Sequence, residues 1–160
     1  MKRALPIVLT SIVALAMTWT GAGSSSAQPQ IPKFTTIGED FGTFGDHASC
    51  RGAANLKMFA PRGKRGVVRV SLTSHGFTGD GSSWTTNPRC RVLLVINQTS
   101  GNSFMKQTPI LAAFGRQAGQ NVTRDIVTGS GLALVSVIPY TVGLPRVAQG
   151  NGTGAYVLVP

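Results

Sequence analysis

Five branched aliphatic residues in succession, Val92, Leu93, Leu94, Val95 and Ile96, constrain this chain more than any other stretch. Successive side chains of a strand point to opposite faces, so a run that is apolar at every position is apolar on both faces. Such a strand belongs in the middle of something, with neighbours above and below it. Pro88 precedes the run and a polar turn, Gln98-Thr99-Ser100-Gly101, follows it. It opens beside Cys90, one of only two cysteines in the chain.

The amino terminus reads as an address. Lys2 and Arg3 form a positive region, Leu5 to Met17 is an almost unbroken apolar run, and Ser25-Ser26-Ala27 offers small residues for cleavage. This is the secretory pattern, with cleavage expected near Ala27. The apolar run is too short to span a bilayer comfortably, and no later segment approaches it, so no transmembrane segment is expected. The expectation is a secreted, extracellular or envelope protein of 133 residues, the full 160 less the first 27. That length suits one domain with one core.

In an oxidising compartment two cysteines predict a single disulfide, Cys50–Cys90, of structural rather than redox character because no C-x-x-C spacing occurs. Closing a loop of that size contributes roughly 3–4 kcal/mol.

Along the chain, residues 28–48 read as an extended arm followed by a glycine-rich loop pinned by Phe34, Phe41 and Phe44, with an exposed aromatic binding surface as the alternative. Residues 49–160 read as one β-sandwich domain. Leu56, Met58 and Ala60 fall on one face with Asn55 and Lys57 on the other, then Val68, Val70 and Leu72 alternate with Arg69, Ser71 and Thr73 beyond a Pro61–Gly66 turn, which predicts an antiparallel hairpin. Ser74 to Pro88 reads as a long polar loop, and loops of that length are more often functional than merely connective. Ser103 to Lys106 is expected as a short return strand, and Pro109 to Phe114 is open between a strand and a helical turn. Asn121–Thr128, Leu132–Ile138 and Tyr156–Val159 complete the strands, with Pro139 expected to end the second of these. The fold class is therefore all-β, a small antiparallel sandwich of immunoglobulin-like or jelly-roll-like kind.

Charge supplies the main functional hint. The formal charge of +10 becomes +8 once Lys2 and Arg3 are removed, and Glu39, Asp40, Asp46, Asp80 and Asp125 are the only acids. The balance favours anionic surroundings, such as phosphate-rich wall polymer, acidic polysaccharide, lipid headgroups or nucleic acid. If the disulfide forms, it draws Arg51 toward Arg89 and Arg91, a grouping suited to phosphate, sulfate or carboxylate. Arg62, Lys64 and Arg65 form a second basic group at the expected hairpin tip, near Arg69. His75, Asp80 and Trp84 give the Ser74–Pro88 loop an imidazole, a carboxylate and a ring on a glycine frame, as in a ligand-binding loop.

Catalytic signatures are sparse. There is no G-x-S-x-G elbow, no H-E-x-x-H, no cysteine pair for zinc and no acidic calcium loop, so no cofactor or metal is expected. No nucleic-acid-binding module is recognisable either. The leading expectation is a secreted, non-enzymatic β domain that binds an anionic polymer or ligand. The alternatives are a secreted hydrolase using His75 with Asp80 or Asp46 with His47, and a structural envelope protein completed by its own copies as a homo-oligomer.

Overall fold

The computed structural model describes residues 29–101, 103–150 and 152–160. The secretory segment expected over residues 1–27 lies outside them, as does the side chain of Phe34. Among the described residues nine strands run in order: β1 (Lys33–Ile37), β2 (Asp40–Phe44), β3 (Arg51–Phe59), β4 (Val67–Thr78), β5 (Arg89–Ser100), β6 (Ser103–Gly115), β7 (Asn121–Val127), β8 (Gly131–Tyr140) and β9 (Thr153–Val159). One short helix, α1 (Gly81–Thr86), interrupts them. The strands form two antiparallel sheets, one ordered β1-β9-β8-β5-β6 and the other β2-β3-β4-β7.

The all-β expectation holds, and the sheets pack in a sandwich-like arrangement around one core. Val92 to Gln98 are buried in β5, which lies between β6 and β8. Its even-numbered residues Val92, Leu94 and Ile96 meet Val68, Val70 and Leu72 of β4 and Val135 and Val137 of β8 in a shared apolar cluster. The β3–β4 hairpin is also present, with Lys57 opposite Ser71 and Met58 opposite Val70. Cys50 and Cys90 are bonded, with Cα atoms 5.8 Å apart, and both are fully buried.

Several boundaries differ from expectation. The segment read as an arm and loop carries β1 and β2, which pair with β9 and β3. Phe41 packs into the core, whereas Phe44, on the other face of β2, is exposed. The expected Ser74–Pro88 loop divides into the end of β4 and the helix α1. Near that end His75 and Gly76 fall where the β3–β4 register shifts, between the Ala54–Ser74 and Gly52–Phe77 pairs, a bulge that turns the strand. Pro109 to Phe114 is strand, not helix, because Ile110, Ala112 and Phe114 all face the core opposite β5. Pro109 is tolerated there because β6 is an edge strand. Pro139 does not end β8. The β8–β9 pairing stops at Val137, so the missing N–H interrupts no ladder on that side. The stretch from Leu144 to Val147 is loop, closed by the single bridge between Tyr140 and Ala148.

The two outer faces are chemically unlike. On the four-stranded sheet the outer rows are mostly polar, with Arg69 opposing Asp125, Ser71 opposing Thr123 and Thr73 opposing Asn121, and with Phe44 and Val127 as exposed apolar residues. On the five-stranded sheet apolar outer rows, Leu111 beside Leu93 beside Tyr140, Pro109 beside Val95 beside Ile138, and Leu132 beside Leu158, flank a polar row of Gln107, Asn97 and Ser136. A sandwich strand with one solvated face normally alternates in polarity, which β5 and β8 do not.

Candidate functional site

The end of the four-stranded sheet nearest the disulfide holds a groove of about 690 Å³. Three adjacent strands build its floor, with Phe44 opposite Arg51 and Arg51 opposite Thr78 in register. Glycines at positions 42, 52 and 76 line it, so backbone rather than side chain forms part of the surface. Gly76 has φ of +99°, and a Cβ there would press into the Arg116 carbonyl. Only glycine suits both demands.

The functional side chains of the groove are Arg51, Arg116, His75 and the exposed ring of Phe44, and no carboxylate lines it. Arg51 donates through Nη1 to Asp80 Oδ2 (2.8 Å) and to the Ser49 carbonyl (3.1 Å). A guanidinium carries five N–H donors, so capacity remains beyond these bonds. Arg116, from the connection after β6, holds its guanidinium carbon 5.8 Å from the centre of the Trp84 ring, a cation–π contact. His75 Nε2 lies 2.8 Å from Asp40 Oδ1, and Asn55 donates to the same oxygen. The His75 hydrogen bond, then that of Asn55, holds the Asp40 carboxyl below its usual range.

A second constellation surrounds the disulfide. Asp46 accepts from the Arg91 backbone N–H (3.1 Å) and from Arg91 Nε (2.6 Å), and lies 2.8 Å from His47 Nδ1. Burial works against its charge, but these hydrogen bonds outweigh it and hold the carboxyl at about 2. His47 Nε2 lies 3.0 Å from the Asn87 carbonyl. A carboxylate and a carbonyl both require an N–H, so the imidazole satisfies both partners only when protonated. Its pKa is accordingly raised, first by Asp46 and then by Asn87. Asp46, His47 and Cys50 offer donor atoms within 4.8 Å of one another. They do not make a metal centre, because the Cys50 sulfur is committed to the disulfide and a metal requires a thiolate.

The arginines expected beside the bridge go separate ways. Arg51 turns to Asp80 and the groove, Arg91 turns to Asp46, and Arg89 lies exposed on the β5 face that also carries Arg91 and Leu93. Strand alternation explains this: each residue next to a core cysteine points away from the core, and the two cysteines lie against opposite sheets. At the hairpin tip Arg62 and Arg65 are exposed, while Lys64 folds back 2.9 Å from Asp125. Asp125 is also bound by Arg69, and these cations hold its carboxyl at about 2, with the Arg69 hydrogen bond the larger cause and burial opposing it.

The expected ligand loop also divides. His75 reaches the groove, Asp80 pairs with Arg51, and Trp84 is buried in the core against Gly79. Trp84 is thus a packing residue and a platform for Arg116, not an exposed ring. Sequence reasoning favoured Phe44 as a packing anchor over an exposed binding ring, and it missed Arg116 as a site residue. Nothing near Arg116 in sequence marks it, since the fold brings it to β4 from the far side of the sandwich.

No protein-family model, curated protein or solved structure matches this chain.

Proposed function

We propose that this is an exported, non-enzymatic β domain, of the immunoglobulin-like or jelly-roll-like kind, that binds an anionic polymer in the groove over β2, β3 and β4. Residues 1–27 are read as its signal peptide. One observation carries the proposal: the groove is lined by Arg51, Arg116 and His75 with no carboxylate among the lining residues. Guanidiniums bind carboxylate, sulfate or phosphate oxygens in paired geometry. Phe44, 55% exposed at the groove, offers a ring face on which a sugar can lie.

The hydrolase readings find less support. A general base needs a ring nitrogen with an available lone pair, and both His47 nitrogens already face acceptors. His75 and Asp80 would have to meet, yet they bind Asp40 and Arg51 respectively.

Retention on an immobilised acidic polysaccharide tests the proposal. The expected result is retention that moderate salt releases, with none on a neutral polysaccharide. Passage through both matrices without retention overturns it.

A further inference from the structure

The outer face of the five-stranded sheet, with the 141–150 loop, carries most of the large exposed apolar side chains among the described residues. Met105, Leu111, Leu132, Leu144, Tyr156 and Leu158 are large apolar side chains between 44% and 90% exposed. Cross-strand pairing sets the face in two apolar stretches, Leu111 with Leu93, Val95 and Ile138 on one side and Leu134, Tyr156, Leu132 and Leu158 on the other, with the polar row of Gln107, Asn97 and Ser136 between them. Exposed apolar surface gathered on one face in this way marks an interaction site.

Leu144 is held out by a folded loop. Thr141 Oγ1 donates to the Pro145 carbonyl (3.0 Å) and accepts from the Val147 N–H (2.9 Å). The Thr141 N–H in turn bonds the Val147 carbonyl (2.9 Å). These bonds fix a turn with Leu144 at its tip, 90% exposed, and Arg146 beside it. Leu144 and Arg146 frame a hollow of about 330 Å³ over Leu93 and Leu111.

Charge identifies the occupant. The strands β1, β5, β6, β8 and β9 contain no Asp or Glu, and neither does the 141–150 loop. All five acids lie in the other sheet or in the connections near it. Arg89 and Arg91 extend the line of Leu93 and Val95 along β5, and Arg146 adds a third guanidinium at the same margin. A second copy would bring Arg89 and Arg146 against like charges, because Asp46, the acid at this margin, is already bound by Arg91 and His47. A bilayer surface with anionic headgroups offers acyl chains to the leucines and phosphates to the arginines.

We infer that this face docks on an anionic lipid surface. It is a different surface from the groove and does not depend on it. The test is sedimentation of the full chain with vesicles of phosphatidylcholine alone and of phosphatidylcholine with phosphatidylglycerol, for the wild type and the L144S/L158S variant. Both proteins carry the same residues 1–28, so the difference between them reports the sheet face. An unchanged far-ultraviolet spectrum and thermal midpoint establish that the variant is folded, as expected for two exposed positions. The expected result is stronger partitioning onto the phosphatidylglycerol vesicles, reduced at least about tenfold in the variant. Equal partitioning of the two proteins overturns the inference. So does a concentration-dependent dimer of the wild type that the variant abolishes while vesicle binding is unaffected, because the face then belongs to a second copy.

Discussion

A methyl group placed on the Cα of Gly45 would fall inside the sulfur of Cys90. The glycine sits at the end of β2, where its N–H donates to the Cys50 carbonyl (2.8 Å), and the disulfide packs directly on its Cα. Gly45→Ala therefore forces the bridge or the loop to move. The expected cost is about 2–3 kcal/mol by denaturant unfolding. Gly42→Ala, whose added carbon meets nothing closer than 3.8 Å, serves as the comparison and is expected to cost far less.

The bridge itself closes a separation of 40 residues and ties the residue just before β3 to β5 in the other sheet. Its loss is expected to cost about 4 kcal/mol through the freedom returned to the unfolded chain. Reduction should then lower the thermal midpoint by on the order of 10 °C. Two titratable thiols in the native, unreduced protein would contradict this.

Ser49 adopts a left-handed backbone, with φ of 48°, immediately before the bridging Cys50, and its side chain is exposed. Glycine adopts that conformation without the Cβ clash but adds freedom to the unfolded chain. Ser49→Gly is expected to raise stability by about 0.5 kcal/mol, and a lower denaturation midpoint would be the contrary result.

Acid and base act on different pairs. Asp46 and Asp125 have carboxyls lowered from 3.8 to about 2, so their contribution is complete above about pH 4 and is lost as pH falls toward 2. His47 has its pKa raised above 6.5, so its contribution is complete below that pH and is lost as pH rises through the folded-state value. Stability measured across pH should decline on both flanks. In His47→Ala the alkaline decline should diminish while the acid decline persists through Asp125. An NMR titration placing the His47 midpoint below 6.5 would contradict the geometry around it.

The parts of this fold that were legible in the sequence are those where one residue class settles the matter. Val92 to Ile96 could only be an interior strand, and two cysteines allow only one intramolecular pairing. The β3–β4 hairpin was legible because Leu56, Met58, Val68, Val70 and Leu72 alternate cleanly with polar residues. The end of β4 was not, since Ser74-His75-Gly76 is polar and glycine-bearing, and its strand character comes from pairing across a bulge. The helix α1, with the sequence G-S-S-W-T-T, contains no strong helix former, and its place follows from burial of Trp84. The groove was half legible. Arg51 and His75 stood out as candidates in separate groups, but their meeting with Arg116 depends on the chain crossing between sheets after β6.

The groove carries the central claim, and an affinity titration of R51A/R116A against a soluble acidic polysaccharide at fixed salt tests it most directly. Both side chains are exposed, and the Arg51–Asp80 pair is a surface pair, so the thermal midpoint should shift little. The account predicts roughly a tenfold or greater loss of affinity, with R62A/R65A at the hairpin tip losing much less. Wild-type affinity in R51A/R116A, or an equal loss in both variants, would contradict it.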